Sequence, residues 1–513
     1  MTPRPKSPRP ETAADAVAAT HLPLMGSVLL RNGCLLAETG DLETADLLIE
    51  NGLITGRGRT LDAPTGVEVL DVGGSLVVPG LVNAHTHSNQ TLEKGLCDAL
   101  PLDAWMVIAS YGGAGVLMGP EDLRVAALMG AIEMLRTGTT SVVDCVRVDE
   151  SCLAEGLDAV MNAYVDSGMR AGVAAQYADL DFFSSLPLDL IDGGEALLRP
   201  PRAAPADVLE GVDDFLQRWS QKHARVTPML GPSSLPRCST ELFEASIDLA
   251  RRRGKRLQTH LLSARSQVPF AQTRYGGSTV DYLDRLGCLE EWASFAHAIW
   301  LDDDEVARLA ASPAAAVHNP VSNLKLGAGL APAPKLWSLG GRVALGADGA
   351  SSNDSQNMWE TVKMAAILHR IALDPDEWPG SSDALGMCWR GGASVMGQDL
   401  GRLEVGALGD VAVLGWGQLL PAPPDQVRHQ LVYSELGSSV RWVIVDGDVV
   451  VRDGEVQTID VEAVRAAATE VAERIWSTLP ARLERFGDVA PLLRRLERAV
   501  SKLRIDFLRS CCW

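Results

Sequence analysis

The sequence lacks any apolar run approaching the length of about 18 residues that a membrane-spanning helix requires. It also lacks an excess of positive charge. Its 46 Lys and Arg residues stand against 66 Asp and Glu residues, which gives a formal net charge of −20 at pH 7. Recognition of a nucleic-acid backbone needs a basic face. We therefore expect no membrane and no nucleic-acid partner, and a surface that favours neutral or cationic small molecules over anions.

Signals of secretion and of disulfide formation are also missing. Residues 1–22 are rich in Pro, Ala and Thr and contain no apolar signal-peptide core, so we expect a disordered N-terminal tail there. The nine cysteines include no Cys-x-x-Cys pair, and only Cys511 and Cys512 are adjacent. An odd, unpatterned count of cysteines indicates a reducing compartment, and we predict a cytoplasmic protein.

Both ends of the sequence have the pattern of short β-strands. Residues 23–75 contain alternating apolar runs that are separated by turn residues such as Asn51-Gly52. The same pattern returns at residues 402–460. We predict that the two ends form one small composite β-sandwich domain around an inserted middle.

The middle of the sequence, residues 76–401, alternates strand-like apolar runs with amphipathic helical stretches. Repeated strand–helix units build a parallel sheet, and about eight of them fit a closed barrel. The predicted fold is therefore α/β, a distorted (β/α)8 TIM-like barrel beside the β-sandwich. Residues 461–513 have helical spacing, interrupted at Pro480 and Pro491, and are predicted to be a C-terminal helical appendage.

The stretch from Ser75 to Ser88 organises the rest of the chain, because its apolar run leads into His85 and His87. In an extended backbone, residues two apart point to the same side. Two imidazoles presented in this way suit a metal ion. For this short motif alone, two unrelated histidines at a strand end are the alternative interpretation.

Other polar residues stand at the predicted carboxyl ends of strands, where barrels of this kind place their reactive groups. They are His260, His297, His318 and Asp348. Five of the nine histidines thus meet at one rim, a clustering that chance scattering of half-buried histidines explains poorly. The remaining histidines, interpreted as structural or solvent-facing, are His21, His223, His369 and His429.

These strand-end residues lie in segments that carry a family resemblance. The segments are Val78–His87, Thr259–Leu262, Ala296-His297, His318–Leu326, Gly346–Ala350 and Gly401–Leu414. They resemble the amidohydrolase superfamily, in particular the branch of S-adenosylhomocysteine/methylthioadenosine deaminases, guanine and 8-oxoguanine deaminases and triazine hydrolases. The resemblance runs in the expected order over most of the chain.

The resemblance implies a metal site and two catalytic residues. His85, His87, His260 and Asp348 are implied to bind one divalent metal ion, zinc in preference to iron, with a position left for water. His297 is implied to polarise the substrate or its developing oxyanion, and Asp348 to carry a proton from the water to the leaving group. A metal held in this way brings the pKa of its bound water near neutrality and supplies hydroxide as the nucleophile.

Two positions depart from the deaminases that the chain resembles. Ser263 stands where they carry a glutamate, three residues after the third metal histidine, that protonates the ring nitrogen next to the attacked carbon. Ser233 stands where nucleoside deaminases often have a histidine that contacts the substrate. A serine hydroxyl is far too weak an acid to protonate the ring nitrogen, and Ser233 lacks the imidazole that contacts the substrate. Both changes therefore argue against an adenosine-type substrate.

Three routes are open for the proton that the missing glutamate supplies in relatives. Another acid reaches the site, Asp348 shuttles the proton alone, or the substrate is activated enough to need no donor. No Asp or Glu lies within residues 261–278. The sequence therefore favours the third route.

The rest of the substrate site is predicted from the same segments. Gln90 and Trp105 follow the paired histidines on a loop, where the indole either stacks on a flat ring or packs within an amphipathic segment. For Asn323, a structural role in its loop and a substrate contact are both open. The complete predicted substrate-binding set is Gln90, Trp105, Ser233, Ser263, His318 and Asn323.

Together these features predict a metal-dependent hydrolase that attacks a C–N carbon of a small heterocyclic molecule with metal-bound hydroxide. The enzyme is expected to be deaminase-like, or a cyclic amidine or amide hydrolase. Two alternatives remain: a triazine-type hydrolase that displaces an amine or halide, and a catalytically inactive metal-binding homologue. We expect a homodimer or a higher homo-oligomer.

Overall fold

The computed structural model describes residues 26–37, 40–96, 98–109, 118–417 and 419–503. The tail predicted at residues 1–22 and the Cys511-Cys512 pair lie outside these described residues.

The N-terminal part of the chain forms five strands of a first sheet. They are β1 (Val28–Leu36), β2 (Leu42–Glu50), β3 (Leu53–Gly58), β4 (Glu68–Asp71) and β5 (Leu76–Pro79). The turn between β2 and β3 is Asn51-Gly52, with φ of 52° and 80° at its two residues. Positive φ at both central residues is the geometry that a two-residue hairpin prefers, so the predicted turn forms as its sequence indicates.

The middle of the chain forms a second sheet of eight parallel strands in sequential order. They are β6 (Leu81–Thr86), β7 (Thr139–Arg147), β8 (Arg170–Tyr177), β9 (Val226–Pro232), β10 (Leu257–Leu261), β11 (Ala293–His297), β12 (Ala315–His318) and β13 (Arg342–Leu345). No ladder joins β13 to β6, but the Asp348 N–H after β13 donates to the His85 carbonyl in β6 at 2.9 Å. The predicted distorted (β/α)8 barrel is confirmed.

The chain then returns to the first sheet with four more strands: β14 (Val411–Leu414), β15 (Val440–Val445), β16 (Asp448–Arg452) and β17 (Glu455–Val456). The hydrogen-bonded order of this sheet is β17-β16-β15-β14-β5-β1-β2-β3, with β4 beside β1. Apolar side chains of both chain ends, such as Leu47 and Ile444, share one small core. The sheet built from both ends is therefore present, and it includes Leu76–Pro79, just past the boundary predicted at residue 75.

Helices connect and cover the two sheets. They are α1 (Leu102–Ala109), α2 (Pro120–Arg136), α3 (Leu153–Ser167), α4 (Pro205–Arg218), α5 (Thr240–Arg253), α6 (Gln267–Tyr275), α7 (Thr279–Arg285), α8 (Asp303–Ala311), α9 (Pro320–Lys325), α10 (Ala333–Ser338), α11 (Ala350–Asn353), α12 (Met358–Ile367), α13 (Ser381–Gly386), α14 (Gly392–Met396), α15 (Pro424–Tyr433), α16 (Val461–Ser477) and α17 (Leu479–Lys502). A 3₁₀ helix spans Ser88–Glu93. Among these described segments, none is both long and apolar enough to cross a membrane.

Local signals explain where individual helices begin and end. The Ser239 hydroxyl accepts a hydrogen bond from the Leu242 N–H at the start of α5, and Gly254 ends that helix with a φ of 59°. The predicted interruption at Pro491 is wrong, because α17 continues through this residue to Lys502. Burial of Leu493 and Leu496 against the rest of the protein offsets the one backbone hydrogen bond that the proline removes.

A buried cluster of charged side chains joins the barrel to the first sheet. Arg170, at the start of β8, donates to Asp410 at 2.8 and 2.9 Å and also contacts Asp446. Arg225, just before β9, donates to Asp446 at 3.0 Å and contacts Asp448. Charges removed from water are tolerated only when they are paired and hydrogen-bonded. The cluster therefore fixes the sheet against the amino-terminal end of the barrel, opposite the end where catalytic groups are expected.

A second buried ion pair holds the C-terminal helices against the loop that follows β6. Arg482 of α17 donates to the Glu93 carboxylate at 2.8 Å, and the two side chains are 1% and 2% exposed. Arg482 also donates to the Thr478 hydroxyl at 2.9 Å. The helical appendage is thus joined to the 3₁₀ helix Ser88–Glu93, which directly follows His87 in the chain.

Arg482→Met is expected to lower the free energy of unfolding by about 3–5 kcal/mol, because Glu93 is then left as a buried charge without a partner. Adding Glu93→Leu should restore most of the loss. The measurement is the midpoint of urea unfolding followed by circular dichroism. Arg485→Met, on the exposed side of the same helix, is the control, and equal midpoints for Arg482→Met and Arg485→Met would contradict the prediction.

Candidate active site

The carboxyl end of the barrel brings five predicted site residues together. His85 lies in β6 immediately before its last residue, Thr86, and His87 follows that strand; His260 lies in β10, His297 ends β11, and Asp348 follows β13. All five are buried or nearly so. Their imidazole rings lie close together, with centroids 4.8 Å apart for His85 and His87 and 5.5 Å apart for His260 and His297. Five of the six residues predicted at this rim therefore form one compact cluster, and His318 is the exception.

Four of these residues present nitrogen and oxygen atoms to one point. The Nε2 atoms of His87 and His260 are 3.3 Å apart. The Asp348 Oδ1 atom lies 3.4 Å from the His87 Nε2 and 3.6 Å from the His85 Nε2. The three histidines offer ligand atoms within 4.8 Å of one another, as do His85, His297 and Asp348. This spacing is compatible with ligands around a single ion.

The other ring nitrogen of each ligand histidine has a hydrogen-bond acceptor. His85 Nδ1 lies 2.7 Å from the Gln258 Oε1, His87 Nδ1 lies 2.5 Å from the Cys145 carbonyl, and His260 Nδ1 lies 2.6 Å from the Ser233 carbonyl. An acceptor on this side places the proton on Nδ1, so that Nε2 carries the free lone pair that a metal requires. Consistently, the buried His85 Nε2 has no hydrogen-bond partner among the described residues.

Electrostatics favour the neutral form of two of these imidazoles, those of His85 and His260. Burial, followed by repulsion from His87, lowers the pKa of His85 to about 3. Burial and the neighbouring histidines also lower the pKa of His260 well below its usual value. Neutral imidazole is the form that binds metal. The residues present therefore fit a divalent cation, and the donor set of three nitrogens and one carboxylate oxygen suits zinc.

Backbone strain is concentrated at this rim. The φ angles of Leu262, His297, Ala298 and Asp348 are 44°, 73°, 48° and 64°. Side-chain-bearing residues rarely adopt positive φ, and such conformations persist only where the surrounding structure holds them. Here the Ala298 N–H donates to the Leu261 carbonyl at 3.0 Å. The strand ends thus turn sharply where they present their reactive side chains.

His297 has hydrogen-bond partners of its own. Its Nδ1 lies 2.9 Å from the Asn323 Oδ1 and 3.3 Å from the Asn319 Nδ2. Burial lowers its pKa. The structure therefore gives Asn323 a place behind His297, and Asn323 is not among the described residues that line the cavity.

A cavity opens above the cluster, and most of the predicted substrate-binding residues line it. Gln90, Trp105, Ser233 and Ser263 do so, together with His87, His260, His297 and Asp348. His318 does not. Its ring lies 5.5 Å from the ring of His369, and neither of its nitrogens has a hydrogen-bond partner among the described residues. Substrate contact by His318 and Asn323 thus has no support from the cavity.

The cavity is also lined by residues outside the predicted substrate-binding set. They are Leu102, Asp103, Met106, Gln176, Phe182, Ser185, Leu186, Ser234, Arg237, Ser266, Gln267 and Leu326. The notable one is Asp103, because burial raises the pKa of its carboxyl group to about 6. Its position two residues before Trp105 is the signal that the sequence offers for it.

Comparisons with known proteins agree with this site. The model of the amidohydrolase family matches residues 76–450. The 5′-deoxyadenosine deaminase of Methanothermobacter thermautotrophicus is 32% identical over 448 residues, which cover 86% of this chain and 98% of that protein. The 5-methylthioadenosine/S-adenosylhomocysteine deaminase of Haloarcula marismortui is 31% identical over 468 residues, which cover 90% of this chain and 100% of that protein.

Solved structures show the same fold. The atrazine chlorohydrolase of Arthrobacter aurescens TC1 complexed with zinc has a TM-score of 0.76 at 26% identity, and covers 87% of this chain and 100% of its own. A zinc-bound adenosine deaminase from Xanthomonas campestris has a TM-score of 0.77 at 24% identity, with 88% and 99% covered.

His87→Ala is expected to lose the metal ion, because it removes one of the converging Nε2 atoms. Elemental analysis of the purified wild-type protein should find about one zinc ion per chain. His429→Ala, which changes an exposed histidine of α15, is the control and should keep the ion. Full metal content in His87→Ala would remove His87 from the ligand set.

Proposed function

Because the chain belongs to the amidohydrolase family, we propose that it is a zinc-dependent deaminase of an amino-substituted nitrogen heterocycle. The observation that carries the proposal is the convergence of the His85, His87 and His260 imidazoles with the Asp348 carboxylate at the floor of a cavity. The resemblance predicted from the sequence motifs is confirmed, as is a metal-dependent hydrolase of carbon–nitrogen bonds.

His85, His87, His260 and Asp348 are the residues that hold the ion in this proposal. A bound divalent cation acidifies a water molecule so that it attacks at neutral pH. The four ligands and the family membership support an active enzyme over the inactive metal-binding homologue, since a non-catalytic protein has no evident use for an ion at the floor of an open cavity.

Asp348 serves as the proton carrier. Burial raises the pKa of its carboxyl group, but electrostatic interaction with the imidazoles of His297, His85 and His87 lowers it by more, and the net direction is downward. The carboxylate is therefore ionised at neutral pH and can take a proton from the attacking water. It then delivers that proton to the departing amine, which leaves as ammonia.

His297 stabilises the oxygen that attacks. Its ring lines the cavity, while its Nδ1 hydrogen-bonds to Asn323. A side chain fixed from behind in this way stabilises developing charge without reorganising during the reaction. This role differs from that of the metal ligands, because the imidazole faces the substrate.

Amine or halide displacement from a triazine is the second candidate, favoured by the 26% identity to the zinc-containing atrazine chlorohydrolase structure. The two candidates differ in their product. The cytoplasmic location and the homo-oligomeric state remain predictions from the sequence.

The zinc-loaded protein is expected to release ammonia from at least one aminated heterocycle in a panel of 5′-deoxyadenosine, 5′-methylthioadenosine, guanine and 8-oxoguanine. Atrazine in the same panel tests the second candidate by release of chloride or alkylamine. Coupled detection of ammonia and chromatography of the product distinguish the outcomes. Only chloride or alkylamine release would replace the first candidate with the second, and no product from any compound would reject both.

His297→Ala is expected to keep its zinc and to lose about 10²–10⁴-fold in kcat. Asn323→Ala keeps the imidazole but removes its partner, so its loss should be smaller. Steady-state rates and elemental analysis on the same preparations provide the measurement. Unchanged turnover in His297→Ala with full zinc content would assign this histidine to structure.

A further inference from the structure

Among the described residues that line the active-site cavity, only Asp103 and Asp348 carry a carboxyl group. Asp348 is already occupied as a metal ligand and carrier of the water proton. Asp103 comes from a different part of the chain, the first turn of α1, which follows the loop that begins at the paired histidines. Of the two described carboxyl groups that line this cavity, the proposed reaction uses Asp348 and leaves Asp103 without a role.

Helix α1 holds Asp103 in a fixed place. Trp105, Ile108 and Ala109 of this helix pack with Leu96 and Leu326 in one apolar cluster. The Leu102 N–H also donates to the Leu326 carbonyl at 3.1 Å, immediately before Asp103. A side chain on a well-packed helix meets the positional accuracy that a catalytic group needs better than one on a free loop.

The surroundings of Asp103 favour its protonated form. Burial raises its pKa to about 6, the nearby Ser266 hydroxyl opposes this shift, and Glu497 on α17 adds to it. Ser266 Oγ is buried and makes no hydrogen bond of regular geometry within the described chain. A carboxyl group with a pKa near the working pH is well matched to proton donation.

The proposed reaction needs such a donor. Attack of water on the amine-bearing carbon of an aromatic heterocycle breaks the ring delocalisation, and a proton on the adjacent ring nitrogen offsets this cost. Ser263, Ser266 and Gln267 line the cavity but cannot release a proton at neutral pH. Arg237 also lines it, yet with a pKa of about 10, lowered by burial, it holds its proton too firmly.

We propose that Asp103 donates a proton to the ring nitrogen next to the attacked carbon, and that the substrate is accordingly an ordinary aromatic aminoheterocycle. This inference depends on the proposed function. Of the three proton sources that remain possible with Ser263 in place of a glutamate, it corresponds to the first, an acid from another part of the chain.

The proton balance of the reaction closes. The carbon–oxygen bond forms as the electron pair of the ring C=N bond moves to nitrogen, which takes the proton from Asp103. Asp348 takes one proton of the attacking water and gives it to the amine, and the carbon–nitrogen bond to ammonia breaks. The second water proton leaves through Asp348 as the carbonyl forms, and Asp103 regains a proton from solvent. The product keeps the donated proton as its ring N–H.

Asp103→Asn in the full-length, zinc-loaded protein is expected to lose about 10²–10⁴-fold in kcat for ammonia release from the panel compound that the wild type deaminates. The wild-type rate should fall as the pH rises through the pKa of Asp103, because only the protonated acid donates. This alkaline limb should be absent in the variant. Asp98→Asn, which changes an exposed carboxyl group of the same loop, is the control and should behave as wild type.

Two further variants separate a donor from a positioning residue. Ser263→Glu added to Asp103→Asn supplies an acid from the other wall of the cavity and is expected to recover at least about tenfold of the lost rate. Zinc content and the midpoint of urea unfolding should match wild type in every variant. A loss of rate that preserves the alkaline limb, or that Ser263→Glu leaves unchanged, would reduce Asp103 to a structural role.

A readout without turnover completes the test. Nuclear magnetic resonance of the protein carrying ¹³C-labelled aspartate carboxyl groups should show one signal that titrates near pH 6 and disappears in Asp103→Asn. Titration in the ordinary aspartate range near 4 would overturn the proposal. Wild-type rates in Asp103→Asn would overturn the role of Asp103 alone, whereas a wild type that releases no ammonia from any panel compound would overturn the proposed function together with it.

Discussion

The orientation of three imidazole rings is the constraint on which the rest of the site depends. A histidine can bind a metal through Nε2 only if its other nitrogen holds the proton and its ring cannot turn. In this protein the acceptors on Nδ1 are two backbone carbonyls, of Cys145 and Ser233, and one side-chain amide, of Gln258. Because backbone carbonyls of neighbouring strands cannot move independently, the sheet itself fixes two of the three rings.

The amide partner is held just as firmly. Gln258 donates its Nε2 to the Ala84 carbonyl at 2.9 Å and to the Ser294 hydroxyl at 3.2 Å. Those two donated bonds turn the Oε1 atom toward His85 and thereby set the proton of His85 on Nδ1. Gln258 thus determines the tautomer of His85, a proposed metal ligand, through contacts that join three strands of the barrel, β6, β10 and β11.

The division of tasks between the two ends of the barrel follows from the same physics. At the amino-terminal end, Arg170 and Arg225 form ion pairs with aspartates of the first sheet, and these pairs join the two domains. At the carboxyl end, polar atoms such as the His85 Nε2 have no hydrogen-bond partner among the described residues, and the backbone is strained at His297 and Asp348. Stability is concentrated at one end so that reactive, incompletely satisfied groups can be maintained at the other.

The sequence predicted the parts of the site that local patterns determine. Strand-end histidines and the aspartate after β13 are fixed by the chain segment in which they lie, so the barrel and the cluster of histidines with Asp348 could be predicted. His318 met the same local criterion, yet its ring faces His369 rather than the cavity. Which way a buried strand-end side chain points depends on neighbouring strands, and no spacing rule within one segment contains that information.

Asp103 shows the same limit from the opposite side. Residues of one strand end are neighbours in sequence, so the sequence points to the segment around Ser263, which contains no acid. A cavity is also lined from above by helices that arrive from distant segments. Here α1 reaches the cavity because the C-terminal helices pack behind it: Trp476, Leu479 and Phe486 contact its apolar cluster, and Arg482 pairs with Glu93. A segment that looked like an outer appendage therefore supports one wall of the site. Asp103 lies on this wall, so its position depends on the packing of α16 and α17. Docking of the C-terminal helices therefore sets where the proposed proton donor stands.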